Sequence, residues 1–160
     1  MKRDDLWQFA VTCYAMPGVE AACLELQDAG SDVCLLLAGA WLESRNVSCS
    51  AERLDRLSRL CRAWQADVVA PLRNVRRSWR AAAANDNMLA ELRERVKALE
   101  LDAERIQLKR MENAAKHWET TGQSADWLHQ LSADATQDAL TQLGILRHAA
   151  FAQLDADGGT

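Results

Sequence analysis

The sequence predicts an all-α protein, and three observations predict it. Apolar residues recur at steps of three and four over long stretches, and capping residues and glycines fall at the ends of those stretches. No segment alternates apolar and polar residues between turn signals, as half-buried strands do. The expected architecture is a compact N-terminal helical domain with a kinked long helix, residues 1–84. A long antiparallel helical hairpin and a short polar tail, residues 85–160, complete the chain.

The first helix is expected over Asp5 to Ala15, with acids at its positive end and Met16-Pro17-Gly18 as its stop. The second spans Pro17 to Ala29, because proline is tolerated in a first turn and Gly30 supplies a left-handed terminator. Ser31 caps a third helix, Asp32 to Arg45, whose apolar run Val33 to Leu42 is too short for a membrane span and reads as a buried core helix. Ser50 caps a fourth. Its apolar positions Leu54, Leu57, Cys61, Trp64, Val68, Leu72, Val75 and Trp79 stay in helical phase across Pro71, so one helix bent at the proline is expected over Ala51 to Ala84.

Asn85-Asp86-Asn87 breaks that helix and caps the next, Met88 to Glu119. Ser124 caps a last helix, Ala125 to Leu154, and two helices of matched length joined by a short loop predict a hairpin. The first hairpin helix carries two apolar seams. Leu92, Val96, Leu99, Ala103 and Ile106 form one; Leu101, Leu108, Met111, Ala115 and Trp118 form another, rotated from it. Such a helix packs on two neighbours: one is the last helix, and the other is the N-terminal core of the same chain or a second copy, which would give a homodimer through the hairpin.

Within the N-terminal part, Leu6-Trp7-Gln8-Phe9-Ala10, Met16-Pro17-Gly18-Val19 and Cys34-Leu35-Leu36-Leu37 leading to Trp41-Leu42 precede Val68-Val69-Ala70-Pro71-Leu72-Arg73 and Arg76-Arg77. In that order these motifs resemble DUF2390, a bacterial domain of unknown function, over residues 5–80. The resemblance implies no activity, cofactor or catalytic residue, because the family has none established.

Composition bounds the function classes. At 160 residues, 49% apolar and 26% charged, the chain is an ordinary globular sequence that folds without disulfides or metals. No apolar signal core comes after Met1-Lys2-Arg3, so the expected compartment is the cytoplasm, with no membrane contact. The five cysteines form no C-x-x-C pair, and the three histidines all fall in the last third. Neither pattern makes a zinc site, so the thiols are read as core filler, Cys49 being the most exposed; no metal or cofactor is expected. No glycine-rich phosphate loop, G-x-S-x-G elbow or H-E-x-x-H motif is present, which argues against an enzyme.

Charge is uneven. Residues 52–80 carry eight arginines, no lysine and only three acids, in a chain of net charge −4. Arg73, Arg76, Arg77 and Arg80 recur at helical spacing away from the Leu72–Val75–Trp79 face, a strip of fork-shaped donors suited to carboxylates or phosphates. Pairing with the chain's own acidic helices is the competing reading. Of the six tryptophans, Trp7, Trp41 and Trp64 are expected in the core, and Trp79, Trp118 and Trp127 at partner contacts.

The function expected from these features is that of a non-catalytic adaptor or regulator. It would bind another protein through the arginine helix, with Arg73, Arg76, Arg77, Arg80 and Trp79 as the contact, or through the hairpin. The alternatives are a binder of an anionic ligand or nucleic acid through the same arginines, disfavoured by the acidic remainder, and an unrecognised enzyme.

Overall fold

A computed structural model describes residues 5–119, 125–132 and 141–150, and every regular element among them is helical. Helix α1 (Leu6–Tyr14) starts at Asp5, whose carboxylate accepts from the Gln8 N–H at 2.8 Å. Helix α2 (Val19–Asp28) begins only after Gly18, which takes φ 83°, and Gly30 leaves the helix end at φ 94°. Both φ values lie in the left-handed region that glycine enters at no steric cost. Helix α3 (Val33–Ser44) is capped by Asp32, not by Ser31: Asp32 Oδ1 accepts from the Leu35 N–H at 3.2 Å. A carboxylate one residue further along satisfies a first-turn donor and leaves Ser31 in the loop.

Helix α3 is the hub. It buries Cys34, Leu36 to Leu42 among its twelve residues and packs on α1, α2, the next helix, α4 (Ala51–Trp64), and two later ones, α7 (Asn87–Ala114) and α8 (Trp127–Leu131). A helix apolar all round has to be surrounded, and the run Val33 to Leu42 is the core helix its composition predicts. At Gly39 an added Cβ would lie 2.7 Å from a Leu131 methyl, so the missing side chain lets α8 lie close on α3.

The long arginine helix is nearly continuous, but its irregularity precedes Pro71. After α4, residues Gln65–Val69 form a π-helical turn in which the Ala70 N–H reaches back five residues to the Gln65 carbonyl. Helix α5 (Ala70–Ser78) then carries Pro71 in its first turn, and a short α6 (Arg80–Ala83) comes after a turn at Trp79. A proline ring clashes with the carbonyl four residues back in a regular helix; the wider π turn removes that clash.

Asp86 caps α7 as the sequence predicts, accepting from the Leu89 N–H at 3.1 Å. Helix α7 ends at Ala114, one turn earlier than expected. The last helix does not run unbroken from Ala125: α8 stops at Leu131 and lies on α3, and residues 141–150 are helical again. The rest of that segment, and the polar tail, lie outside the described residues. One buried cluster joins Leu6, Cys13, Val19 and Leu37 to Leu108, Met111, Trp127 and Leu146, so apolar packing continues across the break at 85–87.

Two aromatic expectations are corrected here. Trp127 is fully buried, donates its indole N–H to the Val47 carbonyl at 2.7 Å and stacks on Trp118 with centroids 5.8 Å apart. Both take part in the packing of α8, Trp118 being half-buried. Trp41 is buried as predicted, whereas Trp7 and Trp64 are half-buried, each with one ring face under a guanidinium, from Arg105 and Arg110.

Candidate functional site

The four arginines of the strip do not act alike. Arg73 Nε donates to Glu100 Oε1 at 2.9 Å and its terminal nitrogen to Glu104 Oε1 at 3.2 Å, while Arg76 donates to the other oxygen of Glu100. Glu100 is buried, and burial alone would raise its carboxyl; hydrogen bonds from Arg76 and Arg73 outweigh that and hold it below the usual range. The bond to Glu100 correspondingly raises Arg76. Arg93 completes the seam by donating to the Arg76 carbonyl at 2.8 Å. Arg77 and Arg80 are exposed, and among the described residues neither pairs with an acid. Internal pairing thus accounts for two of the four arginines. Trp79 is half-buried at the α5–α6 turn.

Arg73 leads to a larger feature. Beside it lies a cavity of about 600 Å³ bounded by α1, α2, the α2–α3 loop, the first turns of α3, the π turn, α5 and α7. Trp7, Ala10, Val11 and Tyr14 of α1 and Leu101 and Leu108 of α7 line it. Cys34 and Leu37 close the apolar end; Glu20, Gln27, Asp32, Gln65, Arg73 and Glu104 supply its polar groups. A concave, mostly apolar space with a few convergent polar groups is the ordinary form of a binding site.

The polar floor is pre-organised. Gln65 donates to Gln107 Oε1 at 2.8 Å, Gln107 donates to Asp32 Oδ2 at 2.9 Å, and Asp32 in turn caps α3. Gln107 has no exposed surface, and among the described residues no buried side-chain nitrogen or oxygen lacks a partner. With its oxygen turned inward, the Gln27 amide accepts from the Arg73 guanidinium, whose terminal nitrogens lie at 3.2 Å. The π turn matters here because it sets Gln65 against Gln107. Burial raises the carboxyls of both Asp32 and Glu104, opposed at Asp32 by the Leu35 N–H and Gln107 and at Glu104 by Arg73. Burial likewise raises the Tyr14 phenol.

Burial holds four of the five thiols protonated. Cys13, Cys23, Cys34 and Cys61 are buried and Cys49 is half-buried, and none of them is in a disulfide. Burial pushes Cys23 and Cys49 up to about 11, Cys61 to about 12, and Cys34 well above its usual value. A thiol held protonated at neutral pH is unreactive. Among the described residues no three His, Cys, Asp or Glu side chains are grouped to hold a metal ion, and no helix is long and apolar enough to cross a membrane.

Every described residue lining the cavity falls between Trp7 and Leu108. The sequence profile of the family described as Protein of unknown function (DUF2390) matches residues 5–111. The chain belongs to the DUF2390 family. The match runs well beyond the expected end at residue 80 and takes in α7 up to Met111, so the α7 wall of the cavity lies in the DUF2390 segment together with α1, α3 and α5. Searches of curated proteins and of solved structures give no match.

Sequence reasoning missed Asp32, Gln65, Glu104 and Gln107 as site residues. A signal for part of the set was present: Glu100, Glu104 and Gln107 fall at helical spacing on the same face of α7 as the buried Met111, and polar residues on a core-facing stripe mark a polar interior. The seam Leu92, Leu99 and Ile106 remains 44–54% exposed, with only Ala103 of that row buried.

Proposed function

We propose that this protein is a non-catalytic adaptor or regulator that binds another protein at the mouth of the cavity between α1, α3, α5 and α7. The supporting observation is the rim. Val11, Tyr14 and Leu101 line the cavity and are 45%, 38% and 53% exposed, so large apolar side chains ring a recess whose polar floor is already satisfied. Exposed apolar surface around a pocket is the usual ground for an anchoring side chain from a partner. The arginine strip is a poorer contact than its sequence implies, since Glu100 engages Arg73 and Arg76. The same engagement disfavours an anionic ligand or nucleic acid at that face.

The test is site-specific photocrosslinking in the native host, with a benzophenone side chain at Val11 or at Arg77. A discrete crosslinked species from position 11, lost in a Leu101→Asp background, is the expected result. Leu101 is exposed, so this change leaves the core intact. Crosslinking from position 77 with none from position 11 would return the contact to the arginine strip.

A further inference from the structure

The cavity has a charge preference that its apolar walls hide. Among the described residues three carboxylates line it, Glu20, Asp32 and Glu104, against one guanidinium, Arg73. That guanidinium is not free to receive an anion: it is shared between Glu100 and Glu104 and is only 17% exposed. Glu104 binds Arg73 through Oε1 and keeps 29% of its side chain accessible. Asp32 accepts from the Leu35 and Cys34 backbone N–H groups and from Gln107, and a carboxylate has lone pairs for about four. Both acids therefore retain acceptor capacity toward the cavity.

Resting on the docking reading above, we infer that the side chain received by the cavity is basic, a lysine or arginine of the partner flanked by apolar residues. The alkyl stem of such a residue lies along Trp7, Val11 and Leu101, and its charged head meets Asp32 and Glu104. Long basic side chains suit this division, since their stems pack as hydrocarbon while their heads seek acceptors. A cation also relieves a cost already present, because Asp32 and Glu104 are charged groups partly withdrawn from water. An acidic occupant would instead add a third carboxylate beside these two, with Arg73 already engaged.

The experiment is amide NMR of the full chain titrated with three capped tripeptides, leucine–X–leucine, where X is lysine, norleucine or glutamate. Norleucine keeps the stem and removes the ammonium. The lysine peptide should shift the amides of Trp7, Val11, Cys34 and Leu108 and bind at least about tenfold more tightly than the norleucine peptide, a difference of about 1.4 kcal/mol. The glutamate peptide should bind most weakly. In an Asp32→Asn, Glu104→Gln variant the lysine advantage should vanish while norleucine binding persists. Equal lysine and norleucine affinities at those amides would overturn the charge inference and leave the docking site standing. A lysine advantage that survives in the variant would also overturn it. Absence of any shift at those amides with all three peptides would overturn the docking site as well.

Discussion

The Gln107 amide donates to Asp32 Oδ2 at 2.9 Å, tying the cap of α3 to the middle of α7 across 75 positions of chain. Gln107 is fully buried, and its own carbonyl is satisfied by Gln65. One side chain therefore fixes three elements around the cavity floor: the α3 cap, the π turn and α7.

Replacing Gln107 with leucine should destabilise the fold even though the volumes are similar, because Gln65 loses its acceptor and Asp32 a donor. Leaving buried polar groups unpaired costs about 1–3 kcal/mol each. Urea denaturation measures it; a Gln107→Leu protein as stable as the parent would show that the floor is loosely held.

The arginine strip should divide cleanly in stability measurements. Arg76→Ala leaves buried Glu100 with Arg73 as its one remaining guanidinium and should cost about 2–3 kcal/mol, somewhat less than full loss of a buried partner. Arg77→Ala and Arg80→Ala, on exposed side chains, should each change stability by less than about 0.5 kcal/mol. Thermal melts of the three variants check the division, and equal effects at all three positions would contradict it.

Proton linkage at the cavity has a definite sign. Asp32 and Glu104 have folded-state values above their ordinary 3.8 and 4.5, so the folded chain takes up protons there before the unfolded chain does. Their contribution therefore improves as pH falls from neutral toward that range. Glu100 is lowered from 4.5 and works oppositely: its contribution is present above 4.5 and is lost as pH falls through its folded value. As pH falls from neutral toward the ordinary carboxylate range the wild-type protein should gain stability relative to Asp32→Asn, Glu104→Gln, measured by urea midpoints. A relative loss over that interval would reverse the assignment.

Much of the fold was legible in the sequence. The break at 85–87, the caps at Ser50 and Asp86, and the burial of Val33 to Leu42 each derive from local chemistry. The cavity was not legible, because its polar residues are scattered from Glu20 to Glu104 and meet only through helix packing. Pro71 signalled an irregular helix, but a proline alone does not distinguish a bend from a π turn one turn earlier. Trp127 was misread for a similar reason: nearness to a helix end says nothing of whether that end is covered, and α8 is pressed onto α3.

The break at 85–87 suggests that residues 1–84 could stand alone, while the buried cluster running through Leu108, Met111 and Trp127 argues for dependence on α7 and α8. Packing should prevail over the local break. A fragment ending at Ala84 is expected to keep helical circular dichroism but to lose a sharp melting transition, since α1, α3 and α4 would expose the surfaces that α7 covers. A cooperative transition in the fragment would show that the first 84 residues form their own core.

The location of binding decides more than any of these. Amide NMR of the full chain, screened against a small set of cationic, neutral and anionic fragments, reports where ligands go without assuming their charge. Shifts gathered on Trp7, Val11, Cys34, Gln65 and Leu108, around the cavity of about 600 Å³, are the expected result. Shifts gathered instead on Arg77, Arg80 and the exposed row of Leu92, Leu99 and Ile106, with the cavity amides unmoved, would contradict the assignment of this cavity as the binding site.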